Sequence, residues 1–122
     1  MLNEIILVCR MIDTPSLRKL SSGATIATGR VANTRVYYTN NEKREQTLFI
    51  DAVFFGRQAE VASEYLTKGR LISIIGRLEQ VTWKNQRGET RTSYRIAVRD
   101  FEFLDSNDKK KEEKNGECYL PF

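Results

Sequence analysis

The chain has 122 residues, enough for one hydrophobic core and not two, and its apolar (40%) and charged (30%) fractions are ordinary for a globular protein. It holds no histidine and only two cysteines. That removes Ser-His-Asp and Cys-His catalysis and any standard zinc spacing, so an enzyme is disfavoured and neither metal nor cofactor is expected.

The net charge is +4, unevenly placed. Four of the twenty bases and five of the sixteen acids lie beyond residue 104, which leaves sixteen bases against eleven acids in the first 104 residues. Such an excess suits a polyanionic partner without proving one. No apolar run approaches the ~20 residues of a membrane span. The opening Met1-Leu2-Asn3-Glu4 carries an acid where a signal peptide carries bases, so the expected location is cytoplasmic. Cys9 lies in an apolar run and reads as a buried small hydrophobe, Cys118 lies in a polar stretch, and no disulfide is expected between them.

Residues 4–11 are rich in β-branched side chains and predict a strand. Asp13-Thr14-Pro15-Ser16 interrupts it, because proline fixes φ and lacks a donor; residues 17–20 resume an extended course before a turn at Ser21-Ser22-Gly23. Residues 24–38 form the second strand, with Gly29 marking a bulge or bend, and residues 39–45 read as an exposed loop. In residues 46–55 Leu48, Ile50, Ala52 and Phe54 alternate with Phe49, Asp51, Val53 and Phe55. The first set is expected in the core and the second at least partly open. The period then changes to helical over residues 57–68, with Tyr65 expected in the core, Lys68 at the negative end of the helix dipole and Gly69 as the stop.

Residues 71–78 predict a buried strand with an interior glycine, Gly76; residues 85–88 a hairpin tip; residues 94–104 the last strand. Five strands with one helix between the third and fourth is the order of the five-stranded Greek-key barrel, the OB-fold. Residues 1–104 are read as that domain. Residues 105–117 contain no apolar side chain and are expected to be disordered, while the final Tyr119-Leu120-Pro121-Phe122 has no core to join and reads as a docking peptide.

The aromatic residues carry the functional signal. Tyr37 and Tyr38 end the second strand, Phe49 and Phe55 share one face of the third, and Trp83 stands among polar residues near the hairpin tip. Any base can stack on such rings, which suits unpaired nucleic-acid strands, and Arg10, Arg18, Lys19, Arg35, Lys43, Arg57, Lys84, Arg87, Arg91 and Arg95 are candidates for phosphate contacts. From pattern alone, Phe49 and Phe55 fit a second packing layer or a subunit interface as well as they fit stacking. That leaves a protein-interaction module as an alternative, and RNA binding as another because stacking does not read the 2′-hydroxyl. Asp51 with Glu60 or Glu64 makes a poor acid pair for hydrolysis, since acids on a helix surface are usually only solvated. No phosphate-binding glycine loop is present.

Residues 54–69, Phe-Phe-Gly-Arg-Gln-Ala-Glu-Val-Ala-Ser-Glu-Tyr-Leu-Thr-Lys-Gly, resemble the strand-to-helix segment of the bacterial single-stranded DNA-binding proteins. The similarity continues through Ile75-Gly76-Arg77-Leu78, Trp83 and the Gly88 turn, and includes the opening through Arg18. It implies an OB-fold that assembles as a homotetramer and binds single-stranded DNA in replication, recombination and repair. It puts stacking on Tyr37, Phe49, Phe55 and Trp83 and a backbone contact on Arg57. It also implies that Leu120-Pro121-Phe122 docks on replication and repair proteins. The chain departs from the family in Cys9-Arg10 after the first strand, in Asp51 on the stacking face, in Val81-Thr82 before the tryptophan, and in a short tail with only Glu117 near its tip.

Overall fold

The structure, a computed structural model, describes residues 1–105. The expected docking tip Leu120-Pro121-Phe122, Cys118, and all but Asp105 of the segment 105–117 expected to be disordered lie outside the described residues. Asp105 itself is hydrogen-bonded to Arg70 and Leu71. Six strands and one helix follow in order: β1 (Ile5–Met11), β2 (Ser16–Lys19), β3 (Thr25–Thr39), β4 (Glu42–Phe55), α1 (Arg57–Tyr65), β5 (Leu71–Lys84) and β6 (Thr90–Phe103). The first predicted strand is split by Pro15 into β1 and β2, so the helix between the third and fourth predicted strands stands between β4 and β5.

The sheet runs β1-β5-β6-β4-β3-β2, and a short pairing of Arg10 and Met11 with Ala32 and Val31 joins β1 back to β3. Five strands thereby close into a barrel, with β2 hydrogen-bonded alongside β3. The barrel is filled by Met11, Val31, Ala52, Phe54, Ile72, Ile74 and Ile96. Helix α1 contributes Ala59 and Ala62, and Leu66 just beyond it, to the same core. Phe101 stands edge-on to Phe54, with centroids 5.2 Å apart.

Four local expectations change. The loop at 39–45 is a tight turn: Asn40 and Asn41 both adopt positive φ (53° and 64°), and Thr39 pairs directly with Glu42. Asparagine tolerates this conformation, and two such residues in succession match the twist of a two-residue hairpin. Gly29 is not a bulge, since the β3–β4 register is unbroken. A side chain there would crowd Met11 and Pro15 instead. Helix α1 stops at Tyr65, so Lys68 lies past its last turn, Tyr65 turns out to solvent, and Leu66 takes the buried place. Leu48 is exposed rather than in the core, because β4 has a second neighbour only at Asp51–Val53.

That limited contact divides the sheet into a barrel and two projecting ribbons. Away from the β4–β6 register, the tips of the β3–β4 and β5–β6 hairpins are only two strands wide. The second tip is held by Asn85, whose Oδ1 accepts from the N–H groups of Arg87 and Glu89 at 2.9 and 3.0 Å.

The β5–β6 ladder shifts register between Ile75 and Gly76, where Arg99 is the extra residue. A Cβ on Gly76 would collide with the backbone carbonyl of Ala97. Gly76→Ala is therefore expected to destabilise the fold by about 1–3 kcal/mol, read as a lowered midpoint in urea. Cys9 is buried in the core, and burial pushes its thiol up to about 11. In a Cys118→Ser background, Cys9 is expected to resist thiol reagents at pH 8 until denaturant opens the barrel.

Candidate nucleic-acid interface

Side chains on a strand alternate between faces, and directly paired residues of neighbouring strands share one. The β3–β4 register puts Ala27, Gly29, Val31, Ala52 and Phe54 inward, and Ile26, Thr28, Arg30, Ala32, Val53, Asp51, Phe49 and Phe55 outward. Beyond Gly76 the β5–β6 register puts Leu78, Ile96 and Val98 on the inner side, and Arg77, Glu79, Val81, Trp83, Arg91, Arg95 and Ala97 on the outer. The parallel pairing of Asp51 with Arg95 and of Val53 with Ala97 merges these into one outer face across β3, β4, β6 and β5.

The floor of that face is hydrocarbon. Ile26, Val53 and Ala97 are buried yet do not belong to the barrel core. This is why Val53 is covered although its face is open at both ends. Three rings rise around the floor: Phe49 is 51% exposed, Phe55 44% and Trp83 46%. Such large apolar surface left in water on one face marks a binding surface. Beside Phe55 a groove of about 200 Å³ is lined by Asn3, Arg77, Ala97 and Arg99, among others. Asn3 shapes its wall by donating from Nδ2 to the Leu78 carbonyl and accepting from the Leu78 N–H, both at 2.9 Å.

Five of the arginines on or around this face stand beside a carboxylate. Arg30 is 3.2 Å from Asp51, Arg95 and Arg77 are 2.9 and 2.8 Å from opposite oxygens of Glu79, and Arg91 is 3.2 Å from Glu89. Arg99 makes two bonds to the carboxylate of Glu4, at 3.0 and 2.9 Å. Hydrogen bonding from Arg95 and then Arg77 holds the Glu79 carboxyl below the usual range, and Arg99 does the same for Glu4.

The sequence-predicted residues separate into groups. Phe49, Phe55, Trp83 and Arg95 come together on the outer face. Arg18 pairs with Ile26 and so extends the Phe55 end of that face. Tyr37 pairs with Arg44, which puts it on the opposite side of the ribbon from Phe49, and the Arg35 guanidinium lies 4.7 Å from its ring centroid. Tyr38, its neighbour, shares the face of Phe49 and is 69% exposed. Arg57 is exposed at the start of α1, Lys84 and Arg87 are exposed at the second hairpin, and Arg10 on β1 donates to the Gly69 carbonyl at 2.9 Å.

Sequence reasoning missed Arg30, Arg77 and Arg99 as members of this surface, and did not separate Tyr38 from Tyr37. Strand alternation, counted outward from Phe49 through a two-residue turn at Asn40-Asn41, would have found Tyr38. Arg99 had no such signal, because the bulge changes the phase there.

A small closed OB barrel with one open aromatic and basic face is the class of protein these features define. The pattern of the single-strand binding protein family matches residues 2–104. The chain is similar to single-stranded DNA-binding proteins of Helicobacter hepaticus (38% identity, over 87% of this chain and 63% of the relative) and Wolinella succinogenes (34%, over 100% and 76%). Among solved structures it resembles that of a Plasmodium falciparum SSB complex with ssDNA, with a TM-score of 0.79, 25% identity and coverage of 86% of this chain and 97% of that one. The chain belongs to the single-strand binding protein family. It spans 63% of the length of the Helicobacter relative. No helix among the described residues is long and apolar enough to cross a membrane.

Because Glu79 is charged more readily in the folded state than in the unfolded chain, its contribution to stability is present above the ordinary carboxylate pKa of 4.5 and is lost as pH falls through its lower folded value. Glu79→Gln is expected to melt slightly below the wild type at neutral pH, by under about 1 kcal/mol for a solvent-screened pair, and the difference to shrink as pH falls below 4.5. Thermal melting at several pH values measures this.

Proposed function

We propose that this chain binds single-stranded DNA with little sequence preference, stacking bases on rings of the outer face while basic side chains follow the phosphates. One observation carries the reading: Phe49, Phe55 and Trp83, far apart in sequence, share one open face above an apolar floor. The family membership and the DNA-bound structural relative support it. Duplexes hide the faces of their bases, so this chemistry selects unpaired strands. Tyr38 joins the row on the ribbon, whereas Tyr37 serves a strand only where it crosses to the other side. Of the bases expected from the sequence, Arg18, Arg91 and Arg95 lie on the outer face, Arg57 stands at the helix start, and Lys84 and Arg87 stand at the second hairpin, whereas Arg10 lies on β1 and Arg35 on the Tyr37 side of the ribbon. The protein acts in the cytoplasm, in DNA replication, recombination and repair.

We also propose that the chain works as a homo-oligomer, a tetramer by its resemblance to the family. Supporting this, among the described residues β1 pairs with a strand on its second edge only at Arg10 and Met11, with one further bond from the Asn33 side chain to the Val8 carbonyl, and Ile6 and Val8 expose apolar surface beside that edge. Mass measurement in solution is expected to give four chains. The tip Leu120-Pro121-Phe122 is proposed to recruit replication and repair proteins. Its deletion should leave DNA binding intact and abolish their capture in a pull-down.

Trp83 is the sole tryptophan and reports on the face directly. Its fluorescence is expected to fall as oligo-thymidine is added, with affinity declining as salt rises. Phe49→Ala and Phe55→Ala should each weaken binding by about 1–3 kcal/mol without lowering the melting temperature, and Tyr38→Ala should cost more than Tyr37→Ala. Normal binding by both phenylalanine variants would refute the stacking surface.

A further inference from the structure

We infer that Asp51 and Glu79 limit the strength of nucleic-acid binding by holding Arg30, Arg77 and Arg95 against themselves and away from phosphates. The inference rests on the single-strand reading above and names what regulates that surface. Across the middle of the outer face, Arg30 on β3, Asp51 on β4, Arg95 on β6 and Glu79 on β5 form one row of alternating charge. Arg30 reaches Asp51 at 3.2 Å and Arg95 reaches Glu79 at 2.9 Å, while Arg77 closes on the other Glu79 oxygen at 2.8 Å. The row crosses β4 between Phe49 and Phe55, so a strand joining those rings must pass over it.

Carboxylate and phosphate are alternative partners for the same guanidinium fork. A phosphate arriving at this row meets arginines already occupied and two carboxylates that repel it. The resident pairs contribute little to the barrel's stability: both partners of the Arg30–Asp51 pair are about half exposed, and the Glu79 side chain, 23% exposed, pairs with Arg95 and Arg77 that are 38% and 62% exposed, so water still screens these contacts. They are therefore exchangeable. Asp51 and Glu79 act as internal competitors, and the strand remains easier to displace than the number of arginines on the face implies.

The test compares the wild-type protein with Asp51→Asn, Glu79→Gln and the double variant, with Trp83 quenching by oligo-thymidine as the readout. Glu102→Gln serves as the control, because it removes one negative charge at a position paired with Ser73, far from the row. Each row variant is expected to bind about three- to tenfold more tightly at low salt, the gain shrinking as salt rises, while the control changes affinity by less than twofold. Thermal melting checks that every variant is folded; should one row variant fail to fold, the other decides. Equal or weaker binding by the folded row variants overturns the inference and makes the carboxylates bystanders or positioning groups. An equal gain from Glu102→Gln also overturns it, in favour of net charge alone. Absence of binding by every form, wild type included, removes the single-strand reading and this inference with it.

Discussion

The phase of β6 decides what every other element can do. A strand points alternate residues to opposite sides, so one unbroken strand from Thr90 to Phe103 would put Arg95 and Phe101 on the same face. Both are needed, one outside and one against the core. The extra residue at Arg99 reverses the alternation: Ile96 and Val98 point inward before it, Phe101 after it. Room for the shift exists only because the facing residue is Gly76, where the Ala97 carbonyl occupies the space of a side chain. A single missing Cβ thus lets one strand line the barrel and furnish the outer face.

That outer face combines three kinds of surface in a definite arrangement. Small buried hydrocarbon groups make its floor, half-exposed rings stand at its margins, and arginines tied to carboxylates cross its middle. The rings draw their position from rigid hydrogen-bonded strands rather than from loops, so their spacing is set by the ladder. The charges are held only by solvent-screened contacts between long side chains. Geometry is fixed in this surface, whereas the partners of its charges are free to change.

Much of this was legible in the residues. β-branched runs, the helical stripe expected over residues 57–68 and the interior Gly76 pointed to the barrel and the position of its helix, whereas Gly29 marks a close approach to Met11 and Pro15 and no bulge. Alternation in β4 separated Phe54 from Phe49 and Phe55 correctly, because the hydrophobic contrast there is strong. The failures share a cause, which is that one strand's pattern does not reveal where its neighbours end. Leu48 looks like a core residue until β4 loses its second partner strand. Val53 looks open until Ala97 and Ile26 are brought beside it. Tyr65 fits the helical stripe, yet the helix stops there and Leu66 turns inward instead. The pairing of arginines with Asp51 and Glu79 depends on β3, β4, β6 and β5 standing in that lateral order, which no local window of sequence contains.

The far end of β6 is closed by Arg70, whose Nε donates to Asp105 at 2.9 Å while its guanidinium carbon lies 4.4 Å from the Phe103 ring centroid. Asp105 also accepts from the Leu71 N–H at 3.2 Å, so the last described residue is fastened to the first residue of the neighbouring strand. Peeling of β6 away from β5 at this end of the ladder must therefore begin by breaking the Arg70–Asp105 ion pair and the Leu71–Asp105 bond, which act as a clasp on the antiparallel pair.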